Sequence, residues 1–283
     1  MDKLILINKE KGVTSREVCD KVKTIFKESK IGHFGTLDPM ATGLLVIAFG
    51  SLTKVLSLLS DKTKEYEVEV LIGKSTDTYD ITGNIVSESN SVLKEEDLIE
   101  ILNTYVVTYM QEVPIYSAVK VNGKKLYEYA RKNEKVDLPK KEVTIFSIND
   151  IKMYSKSGSN YFSFKTHVSS GTYIRSLIND ISKSIGIPMC MSNLNRTKCC
   201  SFSLKDSYTL EDLRNGNYKL LDITDILDLD IKEIPKELEN SILNGNKINK
   251  ISTKKILFQK NGVNISIYDV YNDSMKPILT FKK

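Results

Sequence analysis

The sequence is poor in the residues from which most metal and cofactor chemistry is built. It has four cysteines, Cys19, Cys190, Cys199 and Cys200, none at Cys-x-x-Cys spacing, and two histidines, His33 and His167. A zinc centre draws on clusters of such ligands, so no metal is expected. The thiols read as buried and neutral rather than as disulfides. Neither Gly-x-Gly-x-x-Gly nor GxxxxGK[ST] occurs, which removes the signals for dinucleotide and P-loop sites. Long apolar runs are missing too. The uncharged segment around the most apolar stretch is Pro39–Thr53, too short to span a bilayer. The first residues lack a signal-peptide layout, since Leu4–Ile7 is only strand-sized before charges follow. A cytoplasmic protein without membrane association is expected.

What is present is ordinary in amount and uneven in placement. The 283 residues are 41% hydrophobic and 27% charged, enough for one large domain and one small one. The net charge of +5 is gathered in two places. Lys120–Lys141 carries eight Lys/Arg against three acids, and Ser241–Lys283 carries eight Lys against two Asp. Such segregation suits a polyanion such as nucleic acid, the plain alternative being a solvated lysine face.

Periodicity places the elements. Lys3–Ile7 reads as a strand, and Thr14 with Glu17 forms a capping-box signature for a helix running to about Phe26. Lys9 and Lys11 lie just ahead of that helix, where a phosphate could be met. Leu44–Phe49 reads as a buried strand, and Tyr66–Ile72 alternates as a half-buried one. Gly73–Gly83, with Asp77 and Asp80, reads as a solvent-exposed loop. Lys94–Tyr105 reads as a helix, and so does Leu126–Arg131, where tyrosines interleave with Lys and Arg. Val143–Tyr154 and Asn160–Val168 follow as strands. A helix opens at Gly171–Arg175 and is stopped by Gly186 and Pro188. Arg175 lies near its start and off its apolar stripe, placed to pair with a carboxylate across a cleft. From about Pro235 the chain turns short, β-rich and basic, with a domain boundary expected between Leu227 and Pro235.

One acid stands out. Asp38 sits between small residues just ahead of the Leu44–Phe49 strand, with Gly32, Gly35 and Gly43 around it and Pro39 directly after it. The proline pushes Asp38 out of the helical region. An Asx-type turn explains an isolated Asp-Pro equally well.

Several stretches together resemble the TruB family of tRNA pseudouridine synthases. They are Gly32–Leu45 (GHFGTLDPMATGLL), Lys64–Val68 (KEYEV), Ser75–Gly83 (STDTYDITG), Val113–Lys120 (VPIYSAVK), Gly123–Arg131 (GKKLYEYAR) and Gly171–Arg175 (GTYIR). They stand in the family's order, over roughly residues 3 to 215. The resemblance implies an α+β pseudouridine synthase fold, a mixed, mainly antiparallel sheet flanked by helices, over residues 1–230. It implies a small β-rich PUA-like RNA-binding domain over residues 235–283.

The implied reaction converts uridine to pseudouridine in RNA without a cofactor, at T-loop position 55 of tRNA. The partner would be the T-arm stem-loop, met by a monomer. By resemblance Asp38 is the essential aspartate, acting on ribose carbon 1 or on the neighbouring ribose proton. Tyr66 would stack on the flipped base and is a candidate proton acceptor. Arg175 would pair with Asp38, and His33 would fill space near the vacated base position. Tyr173 and Leu194 would line the uracil pocket, and Lys9 would contact phosphate or support the motif loop. Two positions depart from the family pattern: Lys9 is followed by Glu10 instead of proline, and Leu194 by Asn195-Arg196 instead of two arginines. A non-catalytic RNA-binding protein on the same scaffold is the rival reading, and ribosomal RNA an alternative target.

Overall fold

The computed structural model describes residues 1–59 and 61–281. Its centre is a nine-stranded sheet. Seven strands lie side by side in the order Leu4–Lys9, Thr42–Phe49, Met189–Cys199, Lys64–Ile72, Ser159–Val168, Lys140–Lys156, Thr108–Glu112. Ile31–Phe34 pairs with Thr42–Phe49, and Phe202–Ser203 with Met189–Cys199. All pairings in this sheet are antiparallel except one. Met189–Cys199 meets Thr42–Phe49 in parallel, over only Asn195↔Thr42 and Arg196↔Gly43. This short seam joins two halves of the sheet, and the candidate site straddles it.

Local chemistry explains the elements around the seam. Lys64–Ile72 alternates buried Lys64, Tyr66, Val68, Val70 and Ile72 with more open Glu65, Glu67 and Glu69, as a strand covered on one face must. On the covered side the helix Ile174–Ile185 presses Ile174, Leu177, Ile178 and Ile181 onto Val68, Val70, Phe162 and Phe164. That helix ends at Gly186, whose φ of 72° is the left-handed conformation glycine adopts without a Cβ penalty. The helix Ser15–Phe26 starts on the expected box: the Thr14 side chain accepts from Glu17 N–H, and Glu17 accepts from Thr14 N–H. It covers the half built from Leu4–Lys9 and Thr42–Phe49, with Val18, Cys19 and Val22 buried against Ile5, Ile7, Leu45 and Ile47.

The C-terminal strands form a five-stranded sheet in the order Asp230–Glu233, Ile256–Lys260, Val263–Tyr271, Ser274–Thr280, Ile248–Asn249. The stretch expected as a boundary therefore holds a strand, Asp230–Glu233, that pairs in parallel with Ile256–Lys260. Nor does this sheet keep its apolar residues to itself. Leu257, Ile267, Leu279 and Phe281 share one core cluster with Leu4, Leu44, Val46 and Phe202. No described helix is long and apolar enough to cross a membrane.

Candidate active site

Asp38 lies on the connection between Ile31–Phe34 and Thr42–Phe49, and that connection is pinned from several directions. Leu37 N–H donates to Ser15 Oγ (2.9 Å), which donates back to Leu37 O (3.1 Å). Gly12 N–H donates to Pro39 O, and Ala41 N–H to Asp38 O. Arg196 reaches from the neighbouring strand with Nη2 on Gly35 O (2.7 Å) and Nε on Leu44 O (2.8 Å). At the seam Gly43 has φ of 100°, and a Cβ there would collide with the Arg196 carbonyl and the Asn195 side chain. The glycine is required for the two strands to approach.

Lys9 is part of the same pinning. The residue is 1% exposed, and its ammonium donates to Val13 O (2.7 Å), Glu10 O (2.9 Å) and Pro39 O (3.3 Å). Burial drags its pKa to about 8, against the opposing pull of Asp38. Three carbonyls take up its three protons, an arrangement that suits the second of the two roles implied for Lys9, support of the motif loop. Exposed Glu10 contributes its carbonyl to this arrangement through the backbone, which a proline at that position could also do.

Arg175 comes from the other half, one residue into its helix. It grips Asp38 with two nitrogens, Nε to Oδ2 at 2.9 Å and Nη2 to Oδ1 at 3.1 Å. This is the fork geometry that fixes a carboxylate in direction as well as distance. Nη2 also donates to Tyr116 O (3.0 Å) and Nη1 to Thr78 O (3.2 Å), and Asp80 Oδ2 stands 3.9 Å from Nε. The Arg175 side chain is 6% exposed whereas Asp38 remains 35% exposed, so the acid faces the cavity with its counter-ion behind it.

Asp80 overturns the reading of Gly73–Gly83 as an exposed loop. Its side chain is buried and accepts from Thr82 N–H, Thr82 Oγ1 and Thr78 Oγ1. Ile81 N–H donates to Met191 O and Met191 N–H to Tyr79 O, which sews the loop to the sheet. Its partner Arg175 is remote in sequence, so no local pattern could announce the burial.

Asp38, Arg175, Tyr66, His33, Tyr173 and Leu194 all line one cavity of about 710 Å³. Tyr66 and Leu194 belong to neighbouring strands and form its floor. Tyr66 is buried, which raises its phenol pKa against the opposing charge of Arg196. A neutral phenol stacks and donates, and takes up a proton only after losing its own. His33 pairs through Nε2 with Thr36 Oγ1 (3.2 Å) and through Nδ1 with Cys19 Sγ (3.5 Å). Burial lowers its pKa, helped by Arg196 and Arg16, so the ring is neutral at pH 7. Tyr173 caps the Arg175 helix, and its own N–H donates to Gln111 Oε1 at 2.8 Å. Burial raises its phenol pKa as well. Asn195 points to the other face of the sheet, donating to Glu67 Oε2 and accepting from Thr42 Oγ1. Its departure from the family pattern does not alter the cavity.

Comparison with known proteins agrees with this architecture. A family model described as TruB family pseudouridylate synthase (N terminal domain) matches residues 23–174. The chain is 38% identical to a tRNA pseudouridine synthase B of Oceanobacillus iheyensis, over 96% of this chain and 95% of that one. It is 36% identical to a protein of the same name from Caldanaerobacter subterraneus subsp. tengcongensis, over 98% of each. Among solved structures, a Cbf5-Nop10-Gar1 complex contains a chain with the same fold, at TM-score 0.68 and 20% identity, covering 99% of this chain and 84% of that one. A chain from an H/ACA RNP bound to a substrate RNA containing 2'-deoxyuridine superposes with TM-score 0.65 at 18% identity. With both the sequence match and the fold in place, the chain belongs to the TruB family of pseudouridylate synthases.

Proposed function

We propose that this protein isomerises uridine to pseudouridine in tRNA, at position 55 of the T-loop. The observation that carries this reading is the Asp38–Arg175 pair lining one cavity with Tyr66 and Leu194. The target base must leave its stack to reach such a cavity. Tyr66 stacks on the extruded uracil, Leu194 and Tyr173 wall it in, and His33 fills the space beside it. The bond between N1 and ribose carbon 1 breaks, the base turns, and carbon 5 joins the ribose as its proton leaves. Asp38 acts on the electron-poor sugar, and Arg175 fixes the direction of its carboxylate. The reaction needs no cofactor. One chain supplies every one of these groups, which supports a monomer. Residues 1–230 carry the chemistry, and residues 235–283, with their excess of lysine, serve as a PUA-like holder of the T-arm in a cytoplasmic enzyme.

The experiment is to incubate the purified protein with unmodified tRNA and map pseudouridine. Wild type is expected to modify position 55. Asp38→Asn is expected to bind the tRNA with unchanged affinity and to form no product. Binding by wild type without product at stoichiometric protein would instead establish the rival, a non-catalytic RNA-binding protein.

A further inference from the structure

Arg196 is the largest fully buried side chain among the described residues, at 0% exposure. Its guanidinium has no carboxylate at ion-pair distance there, and its charge favours the ionised forms of the Tyr66 phenol and the Cys199 thiol beside it. Two of its nitrogens donate to neutral carbonyls, Leu44 O and Gly35 O, and Nη1 has no hydrogen-bond partner. A buried charge without a paired carboxylate is costly, and it persists only where something else compensates it. The position is specific. Arg196 pairs across the strands with Tyr66, follows Leu194 by two residues, and lines the cavity that holds Asp38. Gly35, above it, has φ of 68°, and a Cβ there would stand 3.1 Å from Nη1. The charge therefore lies under the floor on which the base would stack, with no surface open to a phosphate.

We propose that Arg196 is a fixed positive charge that stabilises the uracil once its glycosidic bond is broken. The inference rests on the proposed uridine isomerisation. In that step the electron pair of the N1–C1′ bond leaves with the base, whose two carbonyls share the negative charge. The ribose side is handled by Asp38, and no further reactant enters. A preorganised charge in a water-poor site acts on such a developing anion without needing contact. Arg196 thus acts on the leaving base through its charge, and the one arginine of the Leu194-Asn195-Arg196 stretch gains a role.

The test compares single-turnover cleavage for wild type, Arg196→Lys and Arg196→Gln on two tRNAs, one with uridine and one with 5-fluorouridine at the target. Fluorine makes the base a better leaving group, so it needs less help. On uridine, Arg196→Gln is expected to be slower by about 10²-fold and Arg196→Lys, which keeps the charge, by about tenfold. On 5-fluorouridine the Gln deficit is expected to shrink to about tenfold. An equal deficit on both substrates, or Lys no better than Gln, overturns the inference and leaves Arg196 as a clamp on Gly35 and Leu44. Should Arg196→Gln not fold, Arg196→Lys against wild type on the same two substrates carries the test. If wild type itself forms no pseudouridine, the functional reading fails before this comparison is reached.

Discussion

Two residues in the site carry consequences that do not pass through the reaction. His33 is held neutral by burial, with Arg196 and Arg16 adding to the effect. The unfolded chain binds a proton at the ordinary histidine value of 6.5, before the folded chain does. Stability contributed by this group is therefore present above 6.5 and falls away as the pH drops toward the lower folded value. His33→Gln removes the linkage. Its denaturation midpoint in urea is expected to fall less between pH 7 and pH 5 than that of wild type. Gly43 supplies a second case. Alanine there meets both a disfavoured φ and the backbone of Arg196, and is expected to cost about 3 kcal/mol, read as a lower urea midpoint.

At the scale of elements, the helix bearing Arg175 is held at its start by a residue far from it in sequence. Gln111, buried on Thr108–Glu112, accepts from Tyr173 N–H and donates to Tyr109 Oη at 2.7 Å, which in turn donates to Asp180 Oδ2. Gln111→Ala leaves a buried N–H unpaired. It is expected to lower stability by about 1–3 kcal/mol and to slow turnover while leaving tRNA affinity unchanged, measured by thermal melting and single-turnover kinetics. Strand alternation at Lys64–Ile72, the Thr14–Glu17 box and the Gly186 stop were all readable because each is set by neighbours within a few residues. Asp38 and Arg175 stand out locally, one by its glycine and proline neighbours and the other by its place at a helix start, but their roles and that of Tyr66 rest on the ordered motifs. Asp80, Gln111 and Arg196 escaped for one physical reason. A polar side chain announces exposure until its partners are known, and theirs lie on other strands and loops. The boundary near Pro235 was blurred for a related reason: Asp230–Glu233 finds its pairing partner only downstream.

At the scale of the molecule, the C-terminal sheet packs apolar residues on both sides, Ile256, Phe258, Tyr268 and Met275 forming a core of their own. Leu257, Ile267 and Leu279 are core shared with Leu4 and Leu44. Deleting residues 235–283 would open that core and confound any test of RNA binding. Charge is the cleaner handle. Lys247 and Lys250 are exposed, and replacing both with Gln is expected to weaken tRNA binding at low salt and to reduce the slope of log affinity against log salt by about 1–2. An unchanged slope would count against these two lysines as an RNA contact.

The parallel seam has a kinetic meaning. Thr42–Phe49 and Met189–Cys199 meet over two residue pairs, and the hydrogen bond from Arg196 to Leu44 closes a loop of 152 positions. Local hairpins such as Lys140–Lys156 with Ser159–Val168 can form early, whereas this closure bears the entropy of a long chain. Until it happens Asp38 and Arg175 belong to separate pieces. During refolding from urea, native-like strand content should therefore precede the return of activity, and the final step should be the one that creates the enzyme.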